Sequence, residues 1–166
     1  HEGSVHTEDA APRNVYNDPE LAAECAMEYV RQGFTAVKLD PAGPYTIYDG
    51  HQPRLVDIEL SAAMLKAIRE AVGTRADILF GTHGQFTASG ALRMARAIEP
   101  YDPLWFEEPV PPDMPEVMAQ VAHGTSIPIA TGERLTTKWE FARVIEQRAA
   151  TILQPDLGRS GGILET

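Results

Sequence analysis

Five side chains that could do chemistry each follow a short apolar segment of the sequence. One such residue follows each of five segments: Asp40, His83, Glu107, Glu133 and Asp156. Carboxylates that are brought together repel one another unless a cation joins them, and oxygen ligands in such numbers suit Mg²⁺. A cation held there would stabilise the enediolate that forms when a carboxylate substrate loses the proton on its α-carbon. Each residue alone would be an ordinary loop or N-cap residue, so the prediction depends on the series.

The segments that must position these residues alternate between strand and helix patterns. Apolar, β-rich runs at 34–40, 78–80, 104–106, 127–130 and 151–153 are separated by stretches with apolar residues at helical spacing. Such alternation predicts an α/β fold with parallel strands and crossover helices. In a TIM-type barrel the carboxyl ends of the strands meet at one mouth, where catalytic residues lie. A doubly wound open sheet would show the same alternation.

Local signals predict where three of the helices begin. Asp18 precedes a proline, which is the order of an N-cap and a first helical residue. The pairs Asp113/Glu116 and Thr137/Glu140 both resemble capping boxes. We therefore predict that a helix begins after each of these N-cap residues. Residues 1–17 are interpreted as an irregular N-terminal segment and residues 18–166 as the barrel catalytic domain.

The composition excludes several classes of function. Hydrophobic residues make up 43% of the 166 residues, which is typical of a globular protein, and the net charge of −10 argues against nucleic acid as a partner. The single cysteine, Cys25, cannot form an internal disulfide, and no apolar run approaches the length of a membrane span. We therefore expect a cytoplasmic protein that binds neither nucleic acid nor membrane. Its expected partners are a small-molecule substrate and further copies of itself in a homo-oligomer.

Three motifs in this order resemble the enolase superfamily. They are WFEEP at 105–109, ATGER at 130–134 and QPDL through Gly-Gly at 154–162. The branch that the chain resembles most is the mandelate racemase-like group of sugar-acid dehydratases of the galactonate type, from Asp18 to the C-terminus. The resemblance implies a (β/α)7β barrel of TIM type with a capping domain, Mg²⁺ as cofactor, and removal of the proton next to a substrate carboxylate. Only about five strands are present where a barrel needs roughly eight, so we expect a partial barrel without its capping domain.

The same resemblance implies a role for each matching residue. Glu107 and Glu133 match the metal ligands, and His83 matches the general acid that protonates the departing hydroxyl. Asp156 matches the aspartate that pairs with a catalytic histidine on a later strand, which we expect beyond Thr166. Lys38 matches a lysine that contacts the substrate carboxylate. The expected reaction is dehydration of a sugar acid to a 2-keto-3-deoxy acid.

Two residues depart from the pattern of the family. Gly81 stands two positions before His83, where the family has an aspartate that binds the metal. Water, His83 or Asp40 could complete the coordination, or metal binding could be weaker. Asp40 also stands where the racemases carry a second lysine as a base, which favours dehydration over two-base racemisation. We therefore include Asp40 with Lys38, His83 and Asp156 among the candidate catalytic residues.

Several alternatives stay open at this stage. A cycloisomerase of the same superfamily would use the same proton abstraction on an anhydro sugar acid or a lactone. Lys38 could instead form a Schiff base in an aldolase, and Gly81 could mark an inactive barrel. His83 could be an ordinary turn residue. Tyr45, Tyr48 and His51 lie in a long polar loop that could face the substrate or the solvent.

Overall fold

A computed structural model describes residues 14–43 and 50–166 of the chain. Its sheet has five parallel strands: β1 (Ala36–Leu39), β2 (Asp77–Gly81), β3 (Trp105–Glu107), β4 (Ile129–Thr131) and β5 (Ile152–Leu153). The helices are α1 (Pro19–Arg31), α2 (Leu55–Val72), α3 (Ala88–Ile98), α4 (Pro115–Gly124) and α5 (Lys138–Glu146), and a 3₁₀ turn (Glu99–Tyr101) follows α3.

The strands lie in the sheet in the order in which they follow one another in the chain, from β1 to β5. A doubly wound sheet reverses its order at a switch point, whereas a TIM-type barrel adds each strand next to the previous one. Each helix also packs against the next helix in the chain, from α1 to α5. The predicted α/β fold is therefore confirmed. The strand order excludes a doubly wound open sheet and shows an arc of a TIM-type barrel.

The register between strands separates an apolar face from a polar face of the sheet. Val37 pairs with Ile78, and Phe80 pairs with Phe106. These four side chains are buried, and the two phenylalanine rings meet edge to face with their centroids 5.2 Å apart. Because side chains alternate along a strand, the residues between them point to the other face.

The polar face carries the predicted chemistry. Lys38 pairs with Leu79, and Gly81 pairs with Glu107 at the carboxyl end of the next strand. Asp40 follows Lys38 by two residues and therefore continues on the same face. The face turned away from the apolar core thus collects Lys38, Asp40, Gly81 and Glu107 before any loop contributes.

Two of the three predicted helix starts are confirmed, and one is wrong. The Asp18 carboxylate accepts a hydrogen bond from Leu21 N at 3.1 Å, and Thr137 and Glu140 form a reciprocal capping box. Asp113 and Glu116 form no such box, because α4 has Met114 at its N-cap and begins at Pro115. Proline favours the first helical position, so Pro115 sets the start one residue later than the Asp113 signal indicated.

The residues that lie outside the described ranges include two of the predicted loop residues. Tyr45 and Tyr48 fall between 43 and 50, and residues 1–13 of the predicted N-terminal segment fall before the first range. His51 is described, and its ring packs edge to face on Phe86 with the centroids 5.7 Å apart. Across residues 14–43 and 50–166, no helix combines the length and apolar character that crossing a membrane would need.

The capping box of α5 yields a stability prediction. Replacing Thr137 with alanine removes the side chain that accepts from Glu140 N, so we expect the free energy of unfolding to fall by about 1 kcal/mol. Thr151→Ala is the control, because Thr151 is exposed and an ordinary surface substitution changes stability by no more than about 0.5 kcal/mol. Urea unfolding of the full-length protein measures both. Equal unfolding midpoints for the two variants would show that the box adds nothing.

Candidate active site at the carboxyl ends of the strands

Hydrogen bonds join the ends of β2, β3 and β4 into one frame. The Thr82 hydroxyl donates to the carbonyl oxygens of Glu107 and Glu108 at 2.6 and 2.8 Å, and Gly84 N donates to the Glu108 carbonyl at 2.7 Å. Glu108 N in turn donates to Ala130 O at 2.9 Å. Thr82 is buried, so these bonds are shielded from water. The frame fixes the backbone from which His83 and Glu107 project.

Glu107 is the centre of the site. Its side chain is 2% exposed, and its Oε1 accepts from Lys38 Nζ at 2.7 Å. Its Oε2 accepts from Trp105 Nε1 at 3.2 Å and from Gln154 Nε2 at 3.4 Å. Glu107 therefore connects the ends of β1, β3 and β5. Gln154 belongs to one of the three motifs, but sequence reasoning did not single it out.

His83 and Glu133 lie close together, on the turns that follow β2 and β4. His83 Nε2 is 4.0 Å from Glu133 Oε1, and the two side chains are 29% and 36% exposed. The turn of His83 is held by its backbone N–H, which donates to Gln85 Oε1 at 3.1 Å. Gln85 is itself buried. A half-exposed imidazole beside a carboxylate is suited to proton transfer at the mouth of a barrel.

Asp40 fills the space that a side chain at position 81 would occupy. A Cβ atom built on Gly81 would lie only 1.6 Å from Asp40 Oδ1 and 3.0 Å from Lys38 Cε. The first distance is far shorter than real Cβ contacts allow and the second is tight, so any side chain larger than that of glycine would displace Asp40. Asp40 at the end of β1 and Gly81 at the end of β2 are therefore complementary in size.

A second buried carboxylate, which sequence reasoning missed, supports this mouth. Glu108 is completely buried and has an unusual positive φ of 40°. Its Oε2 accepts from Arg134 Nε at 2.8 Å and from Arg134 Nη2 at 2.5 Å, and Thr131 Oγ1 donates to its Oε1 at 3.3 Å. Burial raises the pKa of Glu108, while the charge of Arg134 opposes that rise. In the sequence, this ion pair was indicated by the second glutamate of WFEEP and the arginine of ATGER.

Asp156 has a local role in the structure. Its Oδ1 accepts from Gly158 N at 2.7 Å and from Arg159 N at 3.2 Å, and the residue is exposed. The carboxylate therefore caps the turn that follows β5. Pairing of Asp156 with a catalytic histidine stays a prediction.

The residues at the mouth fit Mg²⁺ in the kind of donor that they offer. Asp40, Glu107 and Glu133 supply carboxylate oxygens, which magnesium prefers. The buried Oε1 of Gln154 has no hydrogen-bond partner in the described part of the chain, and its amide adjoins Glu107. Among residues 14–43 and 50–166, however, no three His, Cys, Asp or Glu side chains converge on one point. The Lys38 ammonium is the cation beside Glu107 in this conformation.

Comparisons with known proteins agree with this fold. The chain is 37% identical to a D-xylonate dehydratase of Haloferax volcanii, over 98% of this chain and 39% of the relative. It is 40% identical to a D-galactonate dehydratase of Variovorax paradoxus, over 80% of this chain and 34% of the relative. The chain thus spans less than two fifths of the length of these curated relatives.

A solved structure and a family model show the broader group of proteins to which the chain is related. A crystal structure from Labrenzia alexandrii, described as a mandelate racemase/muconate lactonizing enzyme, matches with a TM-score of 0.90 and 68% identity, over 93% of this chain and 40% of the other. The family model for the enolase C-terminal domain-like proteins matches residues 20–166. The resemblance read from the three motifs is thereby confirmed, and the chain belongs to the enolase C-terminal domain-like family.

Proposed function

We propose that the protein is a Mg²⁺-dependent sugar-acid dehydratase, a hydro-lyase that converts a sugar acid to a 2-keto-3-deoxy acid. The observation that carries the proposal is the placement of His83 beside Glu133, and of Lys38 on Glu107, at one mouth of the barrel arc. The curated relatives, which are named for the dehydration of xylonate and galactonate, support the same reaction.

The proposed reaction removes the elements of water from neighbouring carbons. The α-carbon loses a proton, the β-carbon loses its hydroxyl, and a carbon–carbon double bond forms between them. The resulting enol takes up a proton at the β-carbon and loses the proton on its oxygen, which gives the 2-keto-3-deoxy acid. The protein must therefore hold the substrate carboxylate, accept one proton and deliver another.

Glu107 and Glu133 would hold Mg²⁺, which when bound supplies positive charge that stabilises the charge developing on the substrate carboxylate. Lys38 would contact the same carboxylate. Its Nζ lies 2.7 Å from Glu107 Oε1 and its side chain is 38% exposed, so the ammonium is both anchored and accessible. An anionic substrate that reaches this mouth therefore meets a fixed cation within a protein of net charge −10.

His83 would deliver a proton from Nε2 to the departing β-hydroxyl, which leaves as water. The Glu133 carboxylate lies 4.0 Å from this nitrogen. The base that removes the α-proton is not assigned to any described residue. By the family resemblance it would be a histidine on a later strand, paired with Asp156.

A test of the proposed general acid separates the two proton transfers. In His83→Asn we expect dehydration to slow by about 10²- to 10⁴-fold, because the hydroxyl has lost its proton donor. Exchange of the α-proton with deuterium from D₂O should persist, because the base and Lys38 are intact. Turnover of xylonate, galactonate and gluconate, followed by keto-acid detection and by proton NMR, measures both rates on the full-length protein.

The matched control is His123→Asn, because His123 is exposed in the last turn of α4. This variant should dehydrate the substrate at the wild-type rate. Loss of α-proton exchange along with dehydration in His83→Asn would assign His83 to the first step and contradict the general-acid role. A wild-type protein that turns over no sugar acid with any divalent metal would contradict the proposed function itself.

The alternatives from the sequence receive less support. The Lys38 ammonium is ion-paired with the Glu107 carboxylate, whereas Schiff-base lysines are activated by desolvation or by a neighbouring cation. The two curated relatives named above are dehydratases. The homo-oligomer, the cytoplasmic setting and the division at residue 18 stay predictions.

A further inference from the structure

We propose that Gln85, which is buried in the turn after β2, is a positioning residue for the general acid His83. Its side-chain amide fixes the backbone from which the imidazole projects, and the dehydration step depends on that placement. The inference rests on the proposed function, because it concerns proton delivery at the same site. It goes further in assigning a role to a residue that acts through His83.

The first step of the argument is the hydrogen-bonding pattern along one edge of this turn. Alternate backbone N–H groups, those of Thr82, Gly84 and Phe86, donate to the successive carbonyl oxygens of residues 107–109, at 3.1, 2.7 and 3.3 Å. Every second amide of the turn is therefore tied to the chain that follows β3. The amide of His83 lies between two of these, and its acceptor must come from the opposite side of the turn. That side faces β1, because β2 lies between β1 and β3 in the sheet.

The second step is the side chain of Gln85, which supplies this acceptor. Its Oε1 accepts from His83 N at 3.1 Å, and its Nε2 donates to the carbonyl oxygen of Ala42 at 3.4 Å. Ala42 lies in the segment that follows β1, so the amide of Gln85 joins the two strand ends as a backbone peptide group would. The reverse orientation of the amide would set donor against donor and acceptor against acceptor.

The third step is the burial of this bridge. Gln85 and Ala42 are both buried, so water does not readily replace either bond, and a buried polar group that loses its partner is costly. The backbone carbonyl of Gln85 also accepts from His51 N at 3.0 Å. Gln85 is therefore held by a further segment of the chain and gives the His83 turn a fixed support.

This support affects one of the two proton transfers. A general acid must lie within hydrogen-bond reach of the group that it protonates, and a displacement of about 1 Å can slow a reaction by about 10²-fold. Lys38, which would contact the substrate carboxylate, is anchored separately on Glu107. Loss of the Gln85 amide should therefore impair proton delivery from His83 and leave substrate binding and removal of the α-proton unchanged.

Gln85→Met tests the assignment on the full-length protein, because methionine keeps the length of the side chain but cannot reproduce the two amide hydrogen bonds. We expect dehydration to slow by about 10- to 10²-fold with an unchanged KM, while the α-proton exchanges with deuterium from D₂O at the wild-type rate. Gln120→Met is the matched control, because Gln120 is exposed on α4. This variant should behave as the wild type does.

Hydrogen–deuterium exchange of the 82–86 segment, followed by mass spectrometry, gives a readout that does not involve activity. In Gln85→Met the exchange of the His83 amide should be about 10-fold faster than in the wild type, because the bond that protects it is lost. Gln85→Glu is the rescue variant. Burial favours the protonated carboxyl group, which can accept from His83 N and donate to Ala42 O. It should restore slow exchange and recover most of the lost rate of dehydration.

The outcomes separate this inference from the proposed function. If Gln85→Met dehydrates the substrate at the wild-type rate while His83→Asn does not, or if exchange of the 82–86 segment is unchanged, the proposed function stands and the role of Gln85 is wrong. If dehydration and α-proton exchange fall together in Gln85→Met, the residue supports the whole mouth and its specific role for His83 is wrong. If the wild type turns over no sugar acid, the proposed function is overturned and the catalytic role of Gln85 with it.

Circular dichroism establishes that each variant is folded. If Gln85→Met does not fold, Gln85→Asn takes its place under the same criteria. Its amide is one carbon too short to reach both His83 N and Ala42 O, so the same slower dehydration and faster amide exchange are expected.

Discussion

Replacing Glu133 with glutamine is expected to abolish Mg²⁺ binding and to lower the rate of dehydration by at least about 10³-fold. The substitution keeps the size of the side chain but removes one charged oxygen ligand. Loss of a single preorganised group that stabilises developing charge already costs 10²- to 10³-fold, and here the cation itself is lost.

Calorimetry and turnover measurements on the full-length protein check this prediction, with Glu146→Gln as the control. Glu146 is exposed at the end of α5, so this variant should bind Mg²⁺ and turn over substrate normally. Treatment with a chelator should abolish the dehydratase activity of the wild type. Added Mg²⁺ should restore that activity in the wild type but not in Glu133→Gln. A Glu133→Gln protein that binds Mg²⁺ with the wild-type constant would show that Glu133 is not a ligand.

The sequence was sufficient to predict the strands and helices and the series of polar residues that follow the strands, because both depend on local patterns. Alternating apolar runs and helical stripes correspond to the five strands and five helices. Register then decides which residues share a face, and Lys38 and Glu107 meet because of it. The start of α4 is an exception, because this helix begins at Pro115 and not directly after Asp113.

Side-chain placement across strands could not be predicted from the sequence. The position of Asp40 in the space beside Gly81 depends on the distance between β1 and β2 and on one rotamer. Sequence reasoning named Asp40 as only one of several ways to complete the coordination. The bond from Gln154 to Glu107 joins residues 47 positions apart, and no local pattern reports it.

A second large effect is expected from the buried ion pair beneath the mouth. Replacing Arg134 with methionine leaves the completely buried Glu108 carboxylate without its cation. Breaking a buried pair by removing one partner costs about 3–5 kcal/mol, and we expect a loss of that size in the free energy of unfolding at neutral pH. Arg143→Met is the control, because its ion pair with Glu116 is exposed and pairs of that kind contribute no more than about 1 kcal/mol.

The loss should depend on pH in a definite direction. Burial raises the pKa of Glu108 and the charge of Arg134 holds that rise back, so the pKa rises further when Arg134 is removed. A carboxyl group whose pKa is higher in the folded state favours folding while it is protonated, and that contribution is lost as the pH rises through the folded-state pKa. The difference between Arg134→Met and the wild type should therefore be smaller at about pH 5 than at about pH 8.

The double variant Glu108→Gln/Arg134→Met decides whether the buried charge is the cause. With no carboxylate left to compensate, it should be more stable than Arg134→Met alone and should lose the pH dependence of that difference. Urea unfolding of the four proteins at both pH values gives the required free energies. If the double variant were no more stable than Arg134→Met, the loss would come from packing of the arginine against the His83 turn, where its Nη2 lies 2.6 Å from a Cβ built on Gly84. Arg134 would then act by holding that turn in place rather than by neutralising Glu108.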